Sequence, residues 1–449
     1  MALSHSNIAG RLERLPLSKF HRRFITLISL GAWFDFYDIF MVAYLGASLH
    51  TSKFFNIQEL SLFISAGFLG MFAGTVLFGM GSDYMGRRGA FIFMLLIYSL
   101  FTLMGAFVSS AGWLIVSRAL AGVGIGAEIV VIDTYVTEMV PSPVRGRYVA
   151  VTQVVGFTAV PVVAALSWLL VPTHFYWDGW RWVMLIGSMG ALLAWYLRRS
   201  LPESPRWLES RGRVAEAEAL MGQIEAEVVK EVGRPLPEAP LVPTELSQRF
   251  PWVELWRRPY LRRTLMLIGF HLLQTIGIYG YANWLPTFLT QQGIPLVKSL
   301  GYTLLIAVAS PVGPLIAVWT TDKFERKWTI TVLSSVIAVA GIGFSQARAP
   351  VAVIGYGALI TMLSYWFSAA LHAYQAELFP TRARATGVGF TYSWSRLSAA
   401  LSSLLIGALL VHGVGSVILL LSLAWLGVAL IIGLLGPRTN AIPLEVVSR

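Results

Sequence analysis

Cysteine is absent from all 449 residues, and charge is scarce: Asp, Glu, Lys and Arg make up 13% of the chain, against about a quarter in a soluble domain. The first absence excludes disulfide scaffolds, thiolate metal sites and thiol catalysis. The second excludes a water-soluble globular enzyme. A cleavable signal peptide is missing too. The first 23 residues, MALSHSNIAGRLERLPLSKFHRR, are polar and have no apolar core, so the amino terminus is expected to be retained. No HExxH, GxSxG or phosphate-loop pattern occurs, so no enzyme, metal or cofactor is expected.

Apolar residues are abundant: 56% of the chain is hydrophobic, with 16 Trp, 25 Phe and a mean hydropathy of +0.67. A bilayer core roughly 30 Å thick needs about 20 apolar residues of helix. Twelve runs qualify: 24–49, 60–81, 89–110, 112–138, 148–171, 181–198, 264–290, 299–321, 328–346, 350–376, 385–411 and 414–435. Lipid leaves backbone groups no partner outside the segment, and the alternation of an outer-membrane barrel is missing, so the spans are read as helices. The expected organisation is a polar segment 1–23, a six-helix bundle 24–198, a linker 199–263, a second six-helix bundle 264–435 and a tail 436–449.

Basic residues orient the chain. Of the 34 Lys and Arg, 28 fall in segments on the side of the amino terminus, which places both termini in the cytoplasm by the positive-inside rule. The net charge of +11 is then a topology and anionic-lipid signal, and no nucleic-acid partner is expected.

The two halves repeat each other. Asp83 and Asp322, Glu138 and Glu377, Pro141 and Pro380, and Arg145 and Arg384 are all separated by the same 239 residues, which marks parallel duplication of a six-helix unit. Such a duplication suits a transporter that binds its substrate between rocking halves.

At these residues the chain resembles the major facilitator superfamily over its whole length. Gly79, Asp83, Gly86, Arg87 and Arg88 match that family's GxxxDxxGRR loop, and Arg118, Gly122, Gly124 and Gly126 match its RxxxGxGxG stretch. The resemblance implies an all-α fold of twelve transmembrane helices in two pseudo-symmetric bundles. It also implies a gating latch built from Asp83, Arg87, Arg88, Glu138, Arg145, Asp322, Glu377 and Arg384, although Glu325 stands where the second copy of the loop would have its second glycine. The GxGxG stretch lies inside an apolar helix and is read as close helix packing. The run LPESPRWLESRGRVAEAEAL from Leu201 resembles the segment after span six in sugar porters, organic-ion transporters and vesicle-glycoprotein relatives, and should form an amphipathic helix. Span seven, with GxxGYxxWLPTFL, is similar to bacterial aromatic-acid and nicotinate permeases of the NiaP type. WFDFYD in span one resembles the acidic, aromatic span one of proton symporters, with Phe36 in the place of a usual glycine.

Ionisable groups at mid-depth are rare and usually serve a pathway. Asp35 and Asp38 share one face of span one. They and Glu128 in span four are the candidate proton carriers, with Arg118 a candidate partner. Asp133 and the histidines His271 and His372 are read as structural. Arg396 lies near the middle of span eleven, where the duplication pairs it with Phe157, so fold symmetry does not require it. Its permanent charge and planar fork suit a carboxylate. Around it, Trp33, Phe36, Tyr37, Tyr279, Trp284, Tyr365, Trp366, Tyr392 and Trp394 are candidates to sandwich a flat ring, and Gln274 and Asn283 to bond its polar atoms.

The expectation is a monomeric proton-coupled symporter in a bacterial inner membrane that imports a small aromatic carboxylate, nicotinate first among them. Its partners are the organic anion, the proton and the lipid bilayer. The alternatives are an organic cation or zwitterion transporter, a proton-independent facilitator and a non-transporting receptor.

Overall fold

A backbone surrounded by hydrocarbon closes its hydrogen bonds within the segment, and this chain does so with helices almost throughout. The computed structural model describes residues 7–240, 252–258, 260–320, 323–379 and 381–439; Asp322 and the side chains of Asp83, Glu128, Asp133, Arg145 and Arg384 lie outside what is described. The first half comprises a short α1 (Ile8–Glu13), then α2 (Lys19–Thr51), α3 (Ile57–Met85), α4 (Arg87–Phe107), α5 (Ala111–Met139), α6 (Ser142–Phe157), α7 (Ala159–Leu170) and α8 (Gly179–Arg198). A two-residue hairpin, β1 (His174–Phe175) with β2 (Trp177–Asp178), joins α7 to α8. The linker holds α9 (Pro205–Ser210), α10 (Val214–Val232) and a 3-10 turn (Trp252–Trp256). The second half comprises α11 (Leu261–Ala282), α12 (Leu285–Gln291), α13 (Leu296–Ala307), α14 (Val312–Thr320), α15 (Arg326–Gln346), α16 (Pro350–Glu377), α17 (Thr381–Leu410) and α18 (Val414–Leu435).

These make twelve spans, because α6 with α7, α11 with α12 and α13 with α14 are each one span with a break. Among the described residues, ten spans are long and apolar enough by themselves to cross a membrane, and Ala111–Gly126 of α5 is a shorter apolar stretch. Several helices outrun their apolar runs: α2 starts at Lys19, five residues before the first run, because the helix continues into a polar end.

Proline causes the breaks. Pro161 has no N–H to offer the carbonyl of Phe157 four residues back, and the helix is interrupted at Thr158. Ser310 of the opposite half donates to that freed carbonyl at 3.3 Å, and also to the Ala307 carbonyl at 2.7 Å, four residues before Pro311. These two breaks thus place polar backbone at the boundary between the halves.

Small residues set the close crossing of α3 on α5. A Cβ at Gly122 would collide with the Gly67 carbonyl, and one at Gly126 with the Met71 carbonyl. The glycine stretch is therefore a packing surface, as its apolar setting suggests.

Twelve crossings return the chain to the side where it began, so the structure has a terminal end, with the linker, and a distal end. The halves close on each other distally. Every residue of α2 from Tyr37 to Leu49 is buried, and so is each from Leu285 to Leu289 in α12, whereas Arg22, Arg23 and Thr26 near the terminal end of α2 are exposed. The side chains of Gln291 and His50 meet across the distal end at 2.9 Å.

The Arg/Glu-rich run forms α10. Its stripe of Ala217, Met221, Ile224 and Val228 is buried in a cluster with α1, α9 and the terminal ends of α2, α4 and α5. Arg11 pairs with Glu218 and, at 2.7 Å, with Glu225; Arg14 reaches Glu225 at 2.6 Å and Arg206 reaches Glu13 at 2.9 Å. Burial works to raise the Glu225 pKa, but hydrogen bonds from Arg11 and Arg14 outweigh it and hold the carboxyl below its ordinary value. At the other end of the linker, Trp256 packs edge-on against Phe390 of α17. The linker is thus fastened to the first half by α9 and α10 and to the second by its 3-10 turn.

Candidate functional site

Two buried charges from opposite halves influence each other electrostatically. Arg396, carried to mid-depth by α17, is 4% exposed, and Asp35, near the middle of α2, is 1% exposed and within electrostatic reach of that guanidinium. Arg396 Nη1 donates to the Tyr279 hydroxyl at 3.1 Å, and the guanidinium lies 5.9 Å from the Tyr279 ring and 5.5 Å from that of Tyr392. Phe68 of α3 packs on Tyr279 at 4.8 Å between ring centres, so this arginine sits on the seam between the bundles. A guanidinium has five N–H donors, and the tyrosine accounts for one of them.

Asp38, one turn beyond Asp35, is occupied differently. Its Oδ2 accepts from Arg118 Nη1, its Oδ1 accepts from Thr102 at 3.2 Å, and Arg118 Nη2 reaches its backbone carbonyl at 3.5 Å. This pair, buried wholly within the first half, compensates two charges that would each be costly alone.

At the terminal end the duplication reappears in side-chain geometry. Arg87 pairs with Glu138 at 3.1 Å, and Arg326 pairs with Glu377 at 3.1 Å. These two ion pairs are related by the same offset of 239 residues, so the second half keeps the pairing although Glu325 replaces glycine there. Tyr135 and Tyr374, again 239 apart, donate to the carbonyls of Pro202 and Pro437 just past the last span of each half. Arg88 donates to the Arg199 carbonyl at 2.6 Å. Glu203, which sequence reasoning did not single out, accepts from the backbone N–H groups of Arg87 and Arg88 at 2.8 and 3.1 Å and caps α4.

The chain matches the family described as "Sugar (and other) transporter" over residues 24–449. It is 33% identical to the putative metabolite transport protein YyaJ of Bacillus subtilis, over 97% of this chain and 96% of that one. It is 30% identical to the niacin transporter NiaP of Acinetobacter baylyi, over 98% and 99%. The partially occluded, inward-open structure of the xylose transporter XylE from E. coli superposes with a TM-score of 0.78 over 95% of this chain and all of that one, at 18% identity. The chain belongs to this transporter family of the major facilitator superfamily.

In this multi-pass membrane transporter the aromatic residues divide into two groups. Near the seam, Phe36 packs on Phe157 at 4.6 Å, and Phe157 meets Tyr365 of the other half at 4.3 Å, with Phe40 closing on Tyr365 at 6.0 Å. Phe157 is the position that duplication pairs with Arg396, so the two halves bring an aromatic ring and a guanidinium to equivalent places. The other group is held by specific partners: Trp33 donates to Thr158 at 3.1 Å, Tyr37 to the Val183 carbonyl at 2.9 Å and Trp366 to Thr320 at 3.0 Å. Trp394 leans on Phe390 at 6.4 Å, and Gln274 donates to Thr275 at 2.7 Å. Asn283 and Trp284 lie at the break in span seven within the distal seal, where Trp284 is fully buried and stacked on Phe288. Phe40, Phe68 and Phe157 join the site without having been singled out as candidates; only the offset relation of Phe157 to Arg396 hinted at one of them.

Proposed function

We propose that this transporter imports a small aromatic carboxylate together with protons, with nicotinate the first candidate substrate. The observation that carries the reading is Arg396: a permanent positive charge at mid-depth, on the seam, flanked by Tyr279 and Tyr392 and opposed by Asp35 of the other half. A carboxylate takes the planar fork, and the aromatic rings receive the flat ring. The niacin transporter among the relatives supports the same substrate class.

Coupling follows from the opposition of charges. An anion entering beside the ionised Asp35 is repelled, and protonating that acid removes the repulsion and frees the field of Arg396, so proton and substrate promote each other's binding. Asp35 is the favoured carrier because Asp38 is committed to Arg118 and Thr102; Asp38 and Glu128 are the other candidates. One proton per monoanion moves no net charge, whereas two move one charge, worth about 2.3 kcal/mol per 100 mV. We read the compartment as a bacterial inner membrane, with both termini cytoplasmic and the monomer as the working unit. The ion pairs of Arg87, Glu138, Arg326 and Glu377 are read as the gating latch, together with Asp83, Arg88, Arg145, Asp322 and Arg384.

Binding to the purified protein tests this reading. Arg396→Ala is expected to weaken nicotinate by about 10- to 100-fold, the range of charge-assisted hydrogen bonds, and nicotinamide by less than about 3-fold. Equal loss of both ligands would make Arg396 a structural residue and end the anion reading. In proteoliposomes, Asp35→Asn should keep counterflow but lose accumulation driven by a pH gradient.

A further inference from the structure

Three polar side chains that the transport reading leaves unused gather around Tyr392. His271 of α11 is completely buried, and neither of its ring nitrogens makes a hydrogen bond. The Tyr392 ring meets it edge-on at 5.4 Å, and His372 of α16 packs on the same ring at 5.7 Å. Gln375, one turn along α16, bonds His372 Nδ1 through its Nε2 at 3.2 Å, while its buried Oε1 is unbonded. Gln375 also lies within hydrogen-bonding reach of His271, although no bond of normal geometry forms between them. The guanidinium of Arg396 lies over this Tyr392 ring as well. Open space reaches the stripe of α17 that carries Tyr392 and Arg396: Gly389, one turn before Tyr392, is exposed, and a Cβ there would meet nothing within 4 Å.

The chemistry of the cluster is specific. A neutral imidazole offers one donor and one acceptor; with Gln375 donating to Nδ1, the proton of His372 sits on Nε2, a second donor; and Gln375 Oε1 is an acceptor. A plain hydrocarbon ring seated against Arg396 would leave these atoms unmet, whereas a ring nitrogen or hydroxyl meets them. A site built to bond such a group rejects the analogue that lacks it far more strongly than an apolar pocket rejects a missing methylene.

The geometry points to an inner polar subsite in which His271, His372 and Gln375 read a second hydrogen-bonding group on the ring of the substrate. The substrate class is then aromatic carboxylates with a ring nitrogen or hydroxyl, not plain aryl carboxylates. This rests on Arg396 as the carboxylate anchor.

Calorimetric binding of benzoate, nicotinate and 3-hydroxybenzoate to the purified full chain tests it. Wild type should bind at least one of the polar-ring acids about 10-fold or more tighter than benzoate, the effect of one good hydrogen bond in a buried site. In His271→Phe, His372→Phe and Gln375→Leu that preference should shrink to within about 2-fold, with benzoate affinity held. Equal wild-type affinities for all three acids overturn the subsite and leave the Arg396 reading standing. A preference that survives in the variants also overturns it, since the cluster then holds only internal water. If wild type binds no carboxylate, the anchor itself fails. Should His271→Phe not fold, Gln375→Leu and the wild-type series decide.

Discussion

At mid-depth a charged side chain survives by its company, and two acids of the same type three residues apart keep different company. Asp38 is bonded to Arg118 and Thr102 inside one bundle, and Asp35 lies within electrostatic reach of Arg396 in the other. Their depth and shared face are readable from spacing in α2; their partners are not, because Arg118 is 80 residues away and Arg396 is in the other half. Removing one member of the buried Asp38–Arg118 pair strands the other, which costs about 3–5 kcal/mol, while replacing both by apolar residues of similar volume is often neutral. Asp38→Leu and Arg118→Leu are therefore each expected to lower the apparent unfolding midpoint sharply, and the double variant to recover much of the loss. If the two losses simply add, the pair is not the stabilising unit.

The helical elements were largely legible because lipid allows a run of about 20 apolar residues few alternatives. Their ends were less so, since α2 and α17 extend into polar segments where composition does not mark the stop. The interruptions at Thr158 and around Val308 were not foreseen: Pro161 and Pro311 are visible, but a proline can kink or break a span, and the deciding contact from Ser310 comes from the opposite half. The glycine stretch of span four was legible because no other reading suits GxGxG inside an apolar helix, and its consequence is local. Gly126→Val would drive a branched side chain into the backbone carbonyl of Met71, so α3 and α5 must separate. Overpacking of this kind costs about 1–3 kcal/mol. The expected result is a lower thermal midpoint and a poorer monodisperse yield, with Gly415→Val, where a Cβ meets nothing within 4 Å, as the tolerated control.

The molecule as a whole is two bundles closed at one end, and under the proposed transport cycle that closure is where the halves part. At the distal end α3 crosses α17 so closely that a Cβ at Gly407 would stand 2.6 Å from Ser61 Cβ, while the linker on the terminal side holds one half by α10 and the other through Trp256. A disulfide needs Cβ atoms about 3.8 Å apart, so a small separation at this crossing admits one. The chain offers no native cysteine to compete. Ser61→Cys with Gly407→Cys should form a bond on mild oxidation, tie the distal ends together and stop uptake, with recovery on adding reductant and activity retained in each single variant. Substrate should still bind from the terminal side of the oxidised protein, because Arg396 and Tyr392 lie on the stripe that leads there past Gly389. Uptake that continues at the normal rate with the bond formed would show that the halves never part at this crossing.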